Sequence, residues 1–189
     1  MIEDKIFEKL NYSEHLLAKE EYDNCTFINC TFSNSDISNI TFRTCVFTDC
    51  DLSLVKMKHT VLNDVQFTNC KLLGLHFNDC DNLFLSVNFE NCILELSVFY
   101  NLTLKKTLFK KCNLNGVDFT ETDLSGSAFY NCNLKNAVFE RTILENADLK
   151  SSFNFSIDPE VNRLKKAKFS KENISGLLDK YNIKLKARL

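Results

Sequence analysis

Proline occurs once in this 189-residue chain and glycine four times, so the sequence holds little of the turn chemistry that long loops require. No apolar run reaches the about 18 residues that mark a membrane-spanning helix. The opening MIEDKIFEKLNY carries too much charge for a secretory leader. A cytoplasmic protein with no membrane partner is therefore expected. Histidine is also scarce: His15, His59 and His76 are too few and too scattered to suggest a metal site. Nucleophile-elbow, phosphate-loop, zinc-helix and dinucleotide fingerprints do not occur. The acid pairs Asp79/Asp81 and Glu121/Asp123 read as solvated charge. No catalytic residue, metal or cofactor is assigned, and the chain is not expected to be an enzyme.

What is abundant is phenylalanine, with 17 residues, within a composition that is 44% hydrophobic. Its spacing is the informative feature. In NLNGVDFTETDLSGSAFYNCNLKNAVFERTILENADLK, Leu114, Phe119, Leu124, Phe129, Leu134, Phe139, Leu144 and Leu149 recur at every fifth position. A small residue (Cys, Val, Thr, Ser or Ala) precedes each by two. Five is neither the helical period of about 3.6 nor the strand period of 2. Within one unit the large residue and the small one two before it share a face of an extended segment. An odd repeat would reverse that alternation unless the chain turned a corner between units, so each pentapeptide is one short side of a coil.

The cysteines give the number of sides. All nine fall in the small inward position. Cys30, Cys50 and Cys70 are 20 residues apart, Cys92 follows after 22, and Cys112 and Cys132 resume the interval of 20. Four units of five close one turn, with two residues inserted between Cys80 and Phe84. Buried, reduced thiols serving as small hydrophobes fit this spacing better than disulfides or zinc ligands. Four inward ladders follow. Phe27, Phe47, Phe67, Phe89, Phe109 and Phe129 lie on the first side; Phe32, Leu52, Leu72, Leu94, Leu114 and Leu134 on the second. Ile37, Met57, Phe77, Phe99, Phe119 and Phe139 lie on the third; Phe42, Leu62, Phe84, Leu104, Leu124 and Leu144 on the fourth.

The pattern A/C/T/S/V-x-F/L-x-x, sustained over about residues 23–149, resembles the pentapeptide-repeat family. The resemblance implies an all-β chain folded as a right-handed quadrilateral β-helix solenoid. Residues 1–22 are expected to form an N-terminal cap, with a helical turn near Ser13 to Glu21. Residues 23–152 form the β-helix, and 153–189 a last partial coil, a short helix from about Asn173 to Tyr181 and a strand at 183–185. The ending AKFSKENISGLLDKYNIKL is similar to the segment through which quinolone-resistance, gyrase-protecting members pair. Its apolar residues Ile174, Leu177, Leu178, Tyr181, Ile183 and Leu185 are the expected homodimer interface.

Charge divides unevenly. Residues 1–149 carry 21 acids and 13 bases, whereas residues 150–189 carry 4 and 10. Half of the first segment's negative balance lies in residues 1–24, with 7 acids against 3 bases. The functional reading that asks least is a rigid rod acting as a protein-interaction module with an unidentified protein partner. The resemblance implies a second: a DNA mimic that protects or inhibits DNA gyrase and topoisomerase IV. In neither is the chain expected to bind nucleic acid directly.

Overall fold

The computed structural model describes residues 1–184. The chain winds as a right-handed, four-sided parallel β-solenoid. Two sides carry regular strands. One sheet holds β1 (Ile2–Glu3), β3 (Glu21–Asp23), β5 (Thr41–Arg43) and β7 (Val61–Asn63). The longer sheet runs in spatial order from β2 (Ile6–Glu8) through β4 (Thr26–Ile28), β6 (Val46–Thr48), β8 (Val65–Thr68), β9 (Val87–Glu90) and β10 (Leu108–Lys110) to β11 (Ala128–Tyr130). The other sides are joined by isolated bridges such as Thr31↔Asp51 and Asp118↔Val138. Register is set by the repeat: Phe27 faces Phe47 and Phe109 faces Phe129, while Phe67 faces Phe89 across the insertion.

Most corners are made by the residue two beyond the central one, which adopts left-handed backbone: Asn24, Asn29 and Asn34 have φ of 50°, 51° and 60°. Asparagine tolerates that region because its short amide bonds locally. The corner amide is not wasted, since Asn29 N–H donates to the Thr48 carbonyl at 3.0 Å, one coil on. Leu54 and Leu96 accept the same conformation, with φ of 57° and 58°. Each lies over a glycine of the next coil. A Cβ on Gly74 would come within 2.9 Å of Leu54 Cδ2, and one on Gly116 within 2.8 Å of Leu96 Cδ2.

The interior is a stack of rings. Phe27–Phe47 and Phe109–Phe129 stack at 4.7 and 4.8 Å, and Phe77–Phe99 on the third side at 4.5 Å. Across the core the first and third sides meet edge to face, as in Phe109–Phe119 at 5.9 Å and 82°. Offset and edge-to-face arrangements match positive ring edges to negative faces. The small position does more than make room. Thr122 and Thr142 hydroxyls donate to the Phe99 and Phe119 carbonyls at 2.8 Å, and Ser152 to Phe129 at 2.7 Å. Cysteine thiols repeat the bond more loosely, Cys70 to the Phe47 carbonyl and Cys132 to Phe109 at 3.3 and 3.4 Å.

In several places the structure departs from the sequence reading. Residues 1–22 are not an irregular cover: β1 and β2 pair in register with β3 and β4, and Phe7 stacks on Phe27 at 4.8 Å, so they form a first coil. Between Ser13 and Glu21 there is a turn and extended chain, not a helix. Phe84 does not belong to the fourth ladder. It stands 52% exposed in the inserted loop, and Leu85 packs against the core instead. The Asp81 carboxylate accepts the Leu83 amide at 2.9 Å, which turns the loop outward before the ladder resumes. The short C-terminal helix is two 3-10 turns, Ile174–Leu177 and Asp179–Tyr181. Ile183 and Lys184 lie in no strand.

Candidate interaction surface

Because the ladders fill the interior, the chemistry available to other molecules lies on the outside. Many acids on the rod are matched by a base one coil away. Arg43 pairs with Glu21 at 2.6 Å, Lys110 with Glu90 at 2.8 Å, and Arg141 and Arg163 with Glu121 and Glu145 at 2.7 Å. Arg141 holds the Glu121 carboxyl below the usual carboxylate range, and Tyr100 contributes a further hydrogen bond. Corner amides form a second lattice: Asn91 Nδ2 donates to Asn69, and Asn69 Nδ2 to Asp49, at 2.8 and 3.0 Å. Exposed apolar side chains interrupt this polar skin at Leu54, Leu96, Leu83 and Phe84.

The C-terminal turns close one end of the rod. Asn173 is the plug. Its Nδ2 donates to the Leu149 and Ser152 carbonyls at 3.0 and 2.9 Å, while its Oδ1 accepts the Ser170 amide at 3.0 Å. Ile157 N–H donates to the Gly176 carbonyl at 2.9 Å. Gly176 sits so close to Phe155 that an added Cβ would lie 2.2 Å from the Phe155 carbonyl oxygen. Lys180 bridges Asp158 and Glu160 at 2.7 and 2.6 Å and holds both carboxyls below the usual range by hydrogen bonding. The Tyr181 hydroxyl donates to Glu160 at 2.7 Å. A groove of about 580 Å³ runs between these turns and the last coil, lined in part by Lys135, Phe153 and Glu172.

The six apolar residues singled out in this segment divide by environment. Leu177 packs partly against the chain's own core, and Leu178 is half-buried. Ile174, Tyr181 and Ile183 are about half exposed and lie on the same terminal segment. Leu185 lies outside the described residues. Asn173, Gly176 and Lys180, which hold the turns in place, were not legible as anchors. Only the Gly inside an apolar run, where it serves no turn, could have pointed to a close approach.

Among the described residues no three His, Cys, Asp or Glu side chains converge. All nine cysteines are free and buried. Burial pushes Cys45 up to about 11 and Cys80 up to about 12. In the stacked row Cys50, Cys92 and Cys132 are also pushed upward, by hydrogen bonding to the neighbouring thiols and by burial among aromatic rings away from water. No helix among the described residues is long and apolar enough to cross a membrane.

The family model for a pentapeptide repeat region matches residues 21–83 and 82–153. No curated protein sequence gives a significant match. Among solved structures, two trypsin-treated variants of QnrB1, a plasmid-mediated fluoroquinolone resistance protein, superpose with TM-scores of 0.64 at 19% identity. These alignments cover 97% and 99% of this chain and 98% and 100% of the other. Full-length QnrB1 gives a TM-score of 0.51 at 21% identity, over 96% of this chain and 99% of the other. At these identities the likeness is one of fold.

Proposed function

The chain belongs to the pentapeptide-repeat family, and from that premise we propose that it is a non-enzymatic, rigid interaction module that recognises a protein partner through its outer surface and works as a homodimer. The observation that carries this reading is the filled interior. Rings stacked at 4.5 to 5.5 Å along the first and third sides leave recognition to the outward ladders and the two ends. Pairing uses the terminal turns: Ile174, Tyr181 and Ile183 offer apolar surface, and two-fold symmetry buries both copies at once without filament growth. Leu185 is assigned to the same interface from the sequence. The protein acts in the cytoplasm, where its thiols stay reduced.

A second reading, a DNA mimic that protects or inhibits gyrase and topoisomerase IV, draws on the end-to-end match in length to QnrB1. A mimic needs a dense negative surface that competes for a basic DNA channel. Here Glu21, Glu90, Glu121 and Glu145 are neutralised by bases of neighbouring coils, which favours the interaction module. Gyrase supercoiling, with and without a fluoroquinolone, separates the two. The expected result is no change in supercoiling and no rescue from the drug at micromolar protein. Dose-dependent rescue or inhibition would transfer the assignment to the second reading.

A further inference from the structure

The two ends of the rod are finished differently. At the C-terminal end Asn173 bonds to the carbonyls of the last turn. At the other end β1 and β2 are the outermost strands of their sheets, each with a neighbour on one side only. In the segment that follows, Tyr12 and Leu17 are buried. Ile2 and Phe7, under β1 and β2, are only partly so. Phe7 ends the first ring column. One face stacks on Phe27 at 4.8 Å, and no ring of the described chain stacks on the other. Beside it, Ile6 is 71% exposed.

We propose that this end is a docking site for an extended segment of a partner protein, which adds to β2 as a parallel strand and places an aromatic residue on Phe7. The repeat itself supplies the template. In the body of the rod a central amide donates to the next coil's outward carbonyl, as Tyr12 does to Thr31 and Phe32 to Asp51, both at 2.7 Å. An outward amide donates to the carbonyl two residues before the previous centre, as Thr26 does to Lys5 at 2.8 Å. Carried one coil outward, the incoming aromatic residue donates its amide to the Ile6 carbonyl. The Ile6 amide then donates to the carbonyl two residues before that aromatic. Main-chain bonds of this kind supply affinity, and alternate side chains supply specificity.

Register and charge define the segment. Parallel pairing sets the residue before the aromatic against Ile6 and the residue after it against Glu8, as Thr26 and Ile28 are set against Ile6 and Glu8. Ile6 takes an apolar neighbour. Glu8 is exposed, and among the described residues it pairs with the adjacent, still more exposed Lys9. With 7 acids against 3 bases in residues 1–24, this end favours a cation there. The recognised segment therefore reads apolar–aromatic–basic, in extended form. The short length of β2 and the charges of Glu8 and Lys9 also discourage indiscriminate edge pairing, so a matched side-chain pattern is needed for binding.

This specifies one surface of the interaction module proposed above and rests on that reading. It fails separately, because the gyrase assay does not probe the N-terminal edge. The test is a fluorescence-anisotropy titration of the whole protein with a labelled, end-capped peptide Thr-Val-Phe-Lys-Thr. Saturable binding is expected, weakened roughly tenfold when the peptide's Phe is N-methylated, which removes the bond to the Ile6 carbonyl. Glu8→Lys should weaken it several-fold and reverse the preference toward Thr-Val-Phe-Glu-Thr; this residue is exposed and its replacement leaves the fold intact. Phe7→Ala should abolish binding. No saturation at millimolar peptide, or binding indifferent to both N-methylation and charge reversal, overturns the proposal. So does self-association through this end, seen as a mass increase that Glu8→Lys abolishes.

Discussion

Cys132→Asp yields no soluble folded protein, whereas Asn131→Asp, one residue earlier, folds and melts like the parent. Cys132 is fully buried, and its thiol donates to the Phe109 carbonyl beneath the Phe109–Phe129 stack. A carboxylate there has no cation within the core. Burying it costs several kcal/mol, against a total stability of about 5–15 kcal/mol. The Phe109 carbonyl also loses its donor. Asn131 is exposed at a left-handed corner with φ of 55°, a conformation that Asp accepts. Cys132→Ser, which keeps a donor, should remain soluble. Soluble yield and thermal melting by circular dichroism provide the check. A Cys132→Asp protein melting within about 5 °C of the parent would contradict the inward assignment of the ladder.

The second large effect concerns assembly. Leu178→Asp combined with Ile183→Asp converts the proposed homodimer to a monomer of 21.8 kDa at micromolar concentration. Ile183 is 54% exposed and Leu178 half-buried in the isolated chain, so both have apolar surface left to bury against a partner. At roughly 1.5 kcal/mol for each of the four side chains withdrawn from the two-fold interface, the dissociation constant rises by about four powers of ten. Asn173, Gly176 and Lys180 anchor the turns independently of these side chains, so the melting temperature of the rod should change little. Light scattering decides. A monomeric parent, or a dimer that survives both substitutions, would remove pairing from the account.

The four-sided coil was readable from the sequence because its cause is periodic. A 20-residue interval between cysteines and Phe67 facing Phe89 across the insertion express one register. Legibility fails where the repeat does. Counting alone placed Phe84 inward. The loop is reversed by a local bond from the Leu83 amide to the Asp81 carboxylate, and a count of positions carries no signal for it. Residues 1–22 looked like a cover because Lys5 and Leu10 fill small positions badly. The first coil tolerates them because its outer side faces solvent and no further coil has to pack there. The small position also hid a second role. Ser127, Thr142 and Cys132 each donate to a carbonyl of the coil below, a bond that Ala in the same position could not make.

The terminal segment was harder for a related reason. Asn173 has the composition of a helix cap, yet its amide bonds to three carbonyls of the preceding coil, Leu149, Lys150 and Ser152, and caps no helix. Such a contact joins residues 21 to 24 positions apart and leaves no local pattern to read. Gly176 is alike. Its requirement comes from Phe155, not from its own backbone angles.

The central claim is that the interior is closed and that recognition belongs to the outside. Its most direct test is the rate at which the nine thiols react with an aromatic disulfide reagent. In the native state burial raises Cys45 and Cys80 to about 11 and 12 and leaves the stacked row among Phe rings, so none should react on the timescale of a free thiol. All nine should react promptly in guanidinium chloride. Rapid native labelling of Cys50, Cys70, Cys92 or Cys112 would show an open interior and contradict the account.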